Sequence, residues 1–203
     1  MAISPVPSPR SSPRKPSARA RLLAAADELF YTEGVHTVGI DRIIERAGVA
    51  KASLYSAFGS KEELVRAYLE NRHRARRERL LAGLERYDNP RDRLLGVFDV
   101  LSELTTAPGF RGCAFHNASA ESVTPGGAVE QMANANRAWT RGVFTELAAA
   151  AGVGDPALLA DQFMLLYDGA SIGARMDHRP GTALLAREAA AGLLAAAQLT
   201  PTT

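Results

Sequence analysis

Cysteine occurs once in the 203 residues, at Cys113, which excludes an intramolecular disulfide framework and any zinc site built from several thiolates. Lysine is confined to Lys15, Lys51 and Lys61, so nearly all the positive charge is arginine. The histidines, His36, His73, His116 and His178, stand singly, and no metal-ligand spacing emerges from them. Neither a metal nor a cofactor is expected. Long apolar runs are missing too: the stretch from Ala189 to Leu199 falls well short of the roughly 20 residues that span a bilayer. Prolines in MAISPVPSPR stand where a signal peptide needs an apolar core, so a cytoplasmic protein without a membrane partner is expected.

What is present fits a globular, helix-forming chain: 46% of residues are hydrophobic and 23% charged, which rules out wholesale disorder. The net charge of +2 conceals an asymmetry. Residues 1–77 hold 14 of the 24 Lys+Arg and 8 of the 22 Asp+Glu, a balance of +6, leaving −4 for the remainder. A basic head on an acidic body points to a polyanionic partner for the head alone. Residues 1–16, dense in proline and serine with Arg10, Arg14 and Lys15, read as a mobile tail, either an idle extension or a basic arm.

From Ser17 onward the apolar residues recur at helical intervals, and no alternating strand pattern competes. A first helix carries Leu22, Ala26, Leu29 and Phe30 and stops at Gly34. A second starts near Thr37 or Val38, with Thr37 as its N-cap, and buries Ile40, Ile43, Ile44 and Ala47. A third, from about Lys51 to Phe58, follows the Gly48 turn. Ser60-Lys61-Glu62-Glu63 reads as a capping box opening a long fourth helix through Arg72 to Arg79, whose arginines read mostly as a solvated face. Asn89-Pro90 and Asp155-Pro156 open later helices, with others spanning about 113–122, 128–151 and 182–199. The fold class is all-α: a three-helix head over residues 17–65 and a larger helical body over 66–203.

Gly48 joins two short helices whose apolar residues, Ile43, Ala47 and Val49 before and within the turn and Leu54 and Ala57 after it, suit a helix-turn-helix. Such a unit offers its second helix to a major groove about 12 Å wide. The outward residues here, Lys51, Ala52, Ser53, Tyr55 and Ser56, are small or hydrogen-bonding, as a groove-facing surface requires. The stretch TVGIDRIIERAGVAKASLYSAFGSKEELVRAYL closely resembles the DNA-binding head of the tetracycline-repressor (TetR) family of bacterial transcriptional regulators. The likeness is dense from about Arg19 to Leu69, and the rest of the chain matches only in architecture. It implies a double-stranded DNA operator as partner. It also implies that Tyr55 contacts a phosphate or base, that Lys61 binds a phosphate at a helix N-terminus, and that Thr37 and Val38 contact the backbone. Lys51, Ala52 and Ser53 would face bases. Ser56 and Ala57 stand where the family usually carries an aromatic or histidine, and Ile44 where a small residue is usual.

The body should supply a homodimer interface and a cavity for a small-molecule effector. One apolar stripe, Leu159, Phe163, Leu166 and Ala170, and another, Leu185, Ala189 and Leu193, with Gly173 permitting close approach, suggest a four-helix interface between two copies. Expected cavity liners are Phe98, Leu101, Phe110, Cys113, Phe115, His116, Asn117, Glu121, Met132, Trp139, Met164, Tyr167 and Asp168, with Phe144, Arg175 and Met176 as further candidates. If Glu121 and Asp168 both face the cavity, they favour a cationic, lipophilic effector. The mechanism implied is repression at a near-palindromic operator, relieved when a ligand favours wrongly spaced heads, with the fourth helix as lever. Two rivals remain. Cys113 with His116 could form a nucleophile and base, but no oxyanion donor or orienting group accompanies them, so no catalytic residue is assigned and an enzyme is not expected. Cys113 could instead serve the same fold as a redox or electrophile sensor.

Overall fold

The computed structural model describes residues 16–122, 124–179 and 181–197. The expected mobile tail therefore lies, except for Pro16, outside the described residues, as does Leu199 at the expected end of the last helix. Among the described residues the protein is all-α, with α1 Ala18–Glu33, α2 Ile40–Ala47, α3 Lys51–Phe58, α4 Lys61–Leu84, α5 Pro90–Thr106, α6 Ala114–Glu121, α7 Ala128–Ala150, α8 Pro156–Met176 and α9 Thr182–Ala196. No helix among them is long and apolar enough to cross a membrane.

Local chemistry explains most of the boundaries. Ser17 caps α1 by accepting from the Ala20 N–H, Asn89 caps α5 through Asp92, and Asp155 caps α8 through Leu158, the last two followed by proline at the first helical position. Ser60 caps α4 by accepting from the Glu63 N–H. The expected capping box is only half made, because the Glu63 carboxylate turns to Arg66 instead of returning to the cap. A second correction concerns α2: its N-cap is Gly39, so Thr37 caps nothing.

Gly48 ends α2 in the left-handed conformation, φ 62° and ψ 46°, with its N–H donating to the carbonyls of Glu45 and Ile44. A β-branched side chain there strains against the following carbonyl. Gly48→Val should therefore cost about 2 kcal/mol, seen as a lower urea midpoint with an unchanged slope.

Two apolar cores organise the chain. The first unites α1 to α4 around Leu22, Phe30, Ile43, Leu54, Leu64 and Tyr68, and it extends into the body by recruiting Ala114, Phe115 and Ala118 of α6. The second fills the body between α4, α5, α7, α8 and α9. Its centre is an aromatic cluster in which Phe98 lies 5.6 Å from Phe163 and 5.9 Å from Phe144, with Tyr167 at its edge. Thus α6 packs on α7 of the body yet shares the core of the head. That placement positions everything described next.

Candidate nucleic-acid interface and effector cavity

On α3, Leu54 and Phe58 turn into the core while Lys51, Ala52, Tyr55 and Ser56 face outward, Tyr55 with 46% of its surface exposed. Ser53 is half-buried. This is the alternation the groove-facing reading requires. Lys51 pairs with Asp41 of α2 at 3.0 Å, which holds its ammonium above the helix start and raises its pKa. Lys61 is partly sunk: it donates to the His36 carbonyl at 3.3 Å, and burial pulls its pKa down against the opposing charge of Glu121. Thr37 is exposed, whereas Val38 retains only 1% of its surface. Val38 must be withdrawn as a side-chain contact, since its isopropyl group is part of the head core.

Sequence reasoning missed the clamp on the turn. Arg21 of α1 donates from one nitrogen to the carbonyls of Ala47 and Gly48, at 3.2 and 3.0 Å. A cation there meets both the orphan carbonyls and the negative end of α2, and so fixes α2 relative to α1. The companion pairs Arg46–Glu28 and Arg42–Glu33 brace the same two helices.

Within the body a cavity of about 240 Å³ opens between α4, α5, α6, α7 and α8. Leu101, Phe110, Cys113, Phe115, His116, Met164, Tyr167 and Asp168 line it as expected. Asn117 borders an adjoining space of about 400 Å³ that also contains Arg175 and Met176. Several expectations fail. Phe98 and Phe144 are wholly enclosed in the aromatic cluster. Trp139 packs edge-on against His73 instead of facing the cavity, and Met132 lies against the head core. Glu121 is displaced furthest: its carboxylate accepts from the His36 N–H at 2.8 Å and sits over Gly34, at the junction of head and body.

Arg76 and Arg137 are cavity residues that the sequence did not suggest. Asp168 is occupied by Arg137 at 2.5 Å. Arg76, by contrast, makes no ion pair among the described residues, although the charge of Asp168 reaches it. Its Nη1 donates to the Cys113 Sγ at 3.7 Å, its guanidinium lies 5.1 Å from the centre of the Tyr167 ring, and its buried Nε has no hydrogen-bond partner. Enclosing an ion without a counterion costs several kcal/mol. The expectation of a cationic effector is thereby corrected: of its two acids, one is elsewhere and one is already neutralised, so the unmatched charge is positive.

The family model for bacterial regulatory proteins of the tetR family matches residues 22–68, the head just described. A solved TetR-family transcriptional regulator from Streptomyces coelicolor is similar over 89% of this chain and 95% of its own, at 35% identity and a TM-score of 0.84. The chain belongs to the TetR family of transcriptional regulators. The HTH-type transcriptional activator FasR of Mycolicibacterium smegmatis is 50% identical over 52 residues, 26% of this chain. That match spans 24% of the activator, so the chain covers about a quarter of that relative's length. The HTH-type transcriptional repressor NemR of Escherichia coli is 32% identical over 105 residues, 51% of this chain and 53% of NemR. NemR solved in its reduced form shares the fold, with a TM-score of 0.78 at 22% identity.

In this TetR-family regulator the last two helices leave an apolar face uncovered. It does not coincide with the stripe read from the sequence. Leu159, Phe163 and Ala170 are buried in the chain's own core, and Leu166, Gly173 and Leu193 are half-buried. The exposed face of α8 lies beside that stripe, at Leu158, Leu165 and Met176, Leu165 with 74% of its surface open. On α9 it runs through Leu184, Leu185 and Ala189, so Leu185 and Ala189 do lie where a partner could reach them.

Proposed function

We propose that this regulator is a homodimeric repressor that holds a near-palindromic operator through two copies of α3 and lets go when a small lipophilic effector fills the cavity. The observation that carries this reading is the double membership of α6. Phe115, Cys113 and His116 line the cavity, while Ala114, Phe115 and Ala118 pack in the head core. Two further ties run beside it: the Tyr31 hydroxyl donates to the Gly112 carbonyl at 3.0 Å and accepts from the Arg111 N–H at 2.9 Å. An effector that displaces α6 therefore moves the head directly. The fourth helix shares the work, since it runs unbroken from Ser60 past the cavity. Repression is favoured over activation because the likeness to the repressor NemR extends over half of both chains, whereas that to the activator FasR covers about a quarter of each.

Operator recovery from a genomic duplex pool, followed by transcription in vitro from the recovered site, tests the reading. Binding that falls steeply with salt, as phosphate contacts release counterions, and transcription that drops on adding protein are the expected results. Tyr55→Ala should weaken specific binding about tenfold or more, while the melting temperature stays nearly unchanged because the side chain is exposed. Enhanced transcription would reverse the sign of regulation; duplex binding indifferent to salt and to Tyr55 would defeat the reading.

A second reading keeps the fold and makes Cys113 the sensor, favoured by its place in the cavity wall with the Arg76 guanidinium in contact with its sulfur. Alkylating Cys113 while following operator occupancy separates the two: the sensor reading requires release in step with modification.

A further inference from the structure

We propose that the cavity recognises an acidic amphiphile, a carboxylate on an apolar skeleton, with Arg76 as its countercharge. The inference rests on the reading of this cavity as the effector site and deepens it. Arg76 projects from the inward stripe of α4 into a wall made by Cys113, Phe115 and Tyr167. A guanidinium does not release its proton at any physiological pH, so the charge persists whether or not a ligand is present. Stacking near Tyr167 and a weak bond to sulfur offset part of the cost of enclosing it, but neither cancels the charge.

The surroundings point the same way. Asp168 is the single acid lining the cavity, and Arg137 holds it. An adjoining hollow of about 120 Å³ is bordered by Arg72, Arg76 and Arg79 with no acid in its walls. The larger space on the other side presents Arg175, His116 and His178, again with no acid. Arg72 is held by Asp27 as Asp168 is by Arg137, which leaves Arg76, Arg79 and Arg175 as the cations around these spaces, and cations between low-dielectric walls concentrate anions. Leu101, Leu104, Phe110, Met164 and Ile172 supply apolar lining and set the other half of the ligand. Tyr167 adds a polar contact: burial pushes its phenol pKa up, against the pull of Arg76, so the O–H remains a donor. A buried cation, a phenol donor and an apolar floor describe an acid's binding site, since the few polar groups of such cavities set ligand orientation.

The test uses the full-length protein without DNA, so its outcome is independent of operator binding. Phenylbutanoate and naphthylacetate, each with its neutral amide and its amine counterpart, are titrated by calorimetry. Each acid should bind at least about tenfold more tightly than its amide, the value of a hydrogen-bonded charge, and the amines should bind weakest. Arg76→Met should erase the preference of acid over amide, and Arg76→Lys should retain it. Because Arg76→Met removes a buried charge that has no ion-pair partner, the ligand-free variant should melt a few degrees higher than the parent. Amides or amines that match the acids would overturn the proposal, as would a preference that survives Arg76→Met. A melting temperature lowered by Arg76→Met would do the same, by showing Arg76 to be a structural strut.

Discussion

Leu165→Glu is expected to leave the regulator monomeric and to weaken operator binding by about two orders of magnitude or more. Leu165 lies in the middle of α8 with 74% of its surface open, flanked by exposed Leu158, Met176, Leu184 and Leu185. A second copy of this chain is the natural cover for such a face, and a carboxylate placed there would be buried without a partner. Losing the second subunit removes one head from the duplex, so the remaining head must bind without the high effective concentration its twin supplied. Sedimentation and duplex titration read the two effects on one sample. Leu159→Glu makes an instructive contrast: that residue is buried in its own subunit, so the variant should lose stability instead of assembly. A dimer that survives Leu165→Glu would place the interface elsewhere.

Gly34→Ala should destabilise the head by about 2–4 kcal/mol. With φ at 99° and ψ at 151°, Gly34 occupies a region essentially restricted to glycine. An added Cβ would also come within 2.7 Å of the Glu121 carboxylate oxygens. If the carboxylate withdraws, the His36 N–H loses its acceptor; if it stays, the backbone must shift. Glu121→Gln keeps the shape and an acceptor, so it should cost under about 1 kcal/mol. Hydrogen exchange resolves the location: amides of α1 to α3 should lose protection in Gly34→Ala while those of α8 and α9 keep theirs. A uniform loss would mean that head and body unfold as one unit.

The head was almost fully legible because its signals are local. Ser17, Gly48 and Ser60 mark its boundaries through hydrogen bonds within a few residues, as Asn89 and Asp155 do before the prolines of the body, and α3 falls at Lys51–Phe58 as expected. The side chains of α4 were misread because arginine's destination is a tertiary matter. Arg72 and Arg76 continue the inward stripe of Val65 and Leu69 to Leu80, so their spacing carried the signal, but their charge argued for solvent. Arg72 instead pairs with Asp27 and lies 4.0 Å from the centre of the Tyr31 ring. Glu121 was assigned to the cavity because it sits on the cavity's helix; eight residues make barely two turns, and its end belongs to the head. On α8, apolar residues occur on both faces, so periodicity alone could not distinguish the face turned to the subunit's own core from the one left open.

The chamber in the body has walls of unequal stiffness. One side backs onto interlocked phenyl rings, while the opposite side is a two-turn helix whose N-cap residue, Cys113, makes no side-chain capping bond. Volume forced into such a space is not shared evenly; it is passed to the compliant side, and that side touches the reading head. On the proposed effector reading, the expected behaviour is that of a gauge of girth: guests below a threshold size lodge silently, and bulkier ones of the same chemistry trip the response.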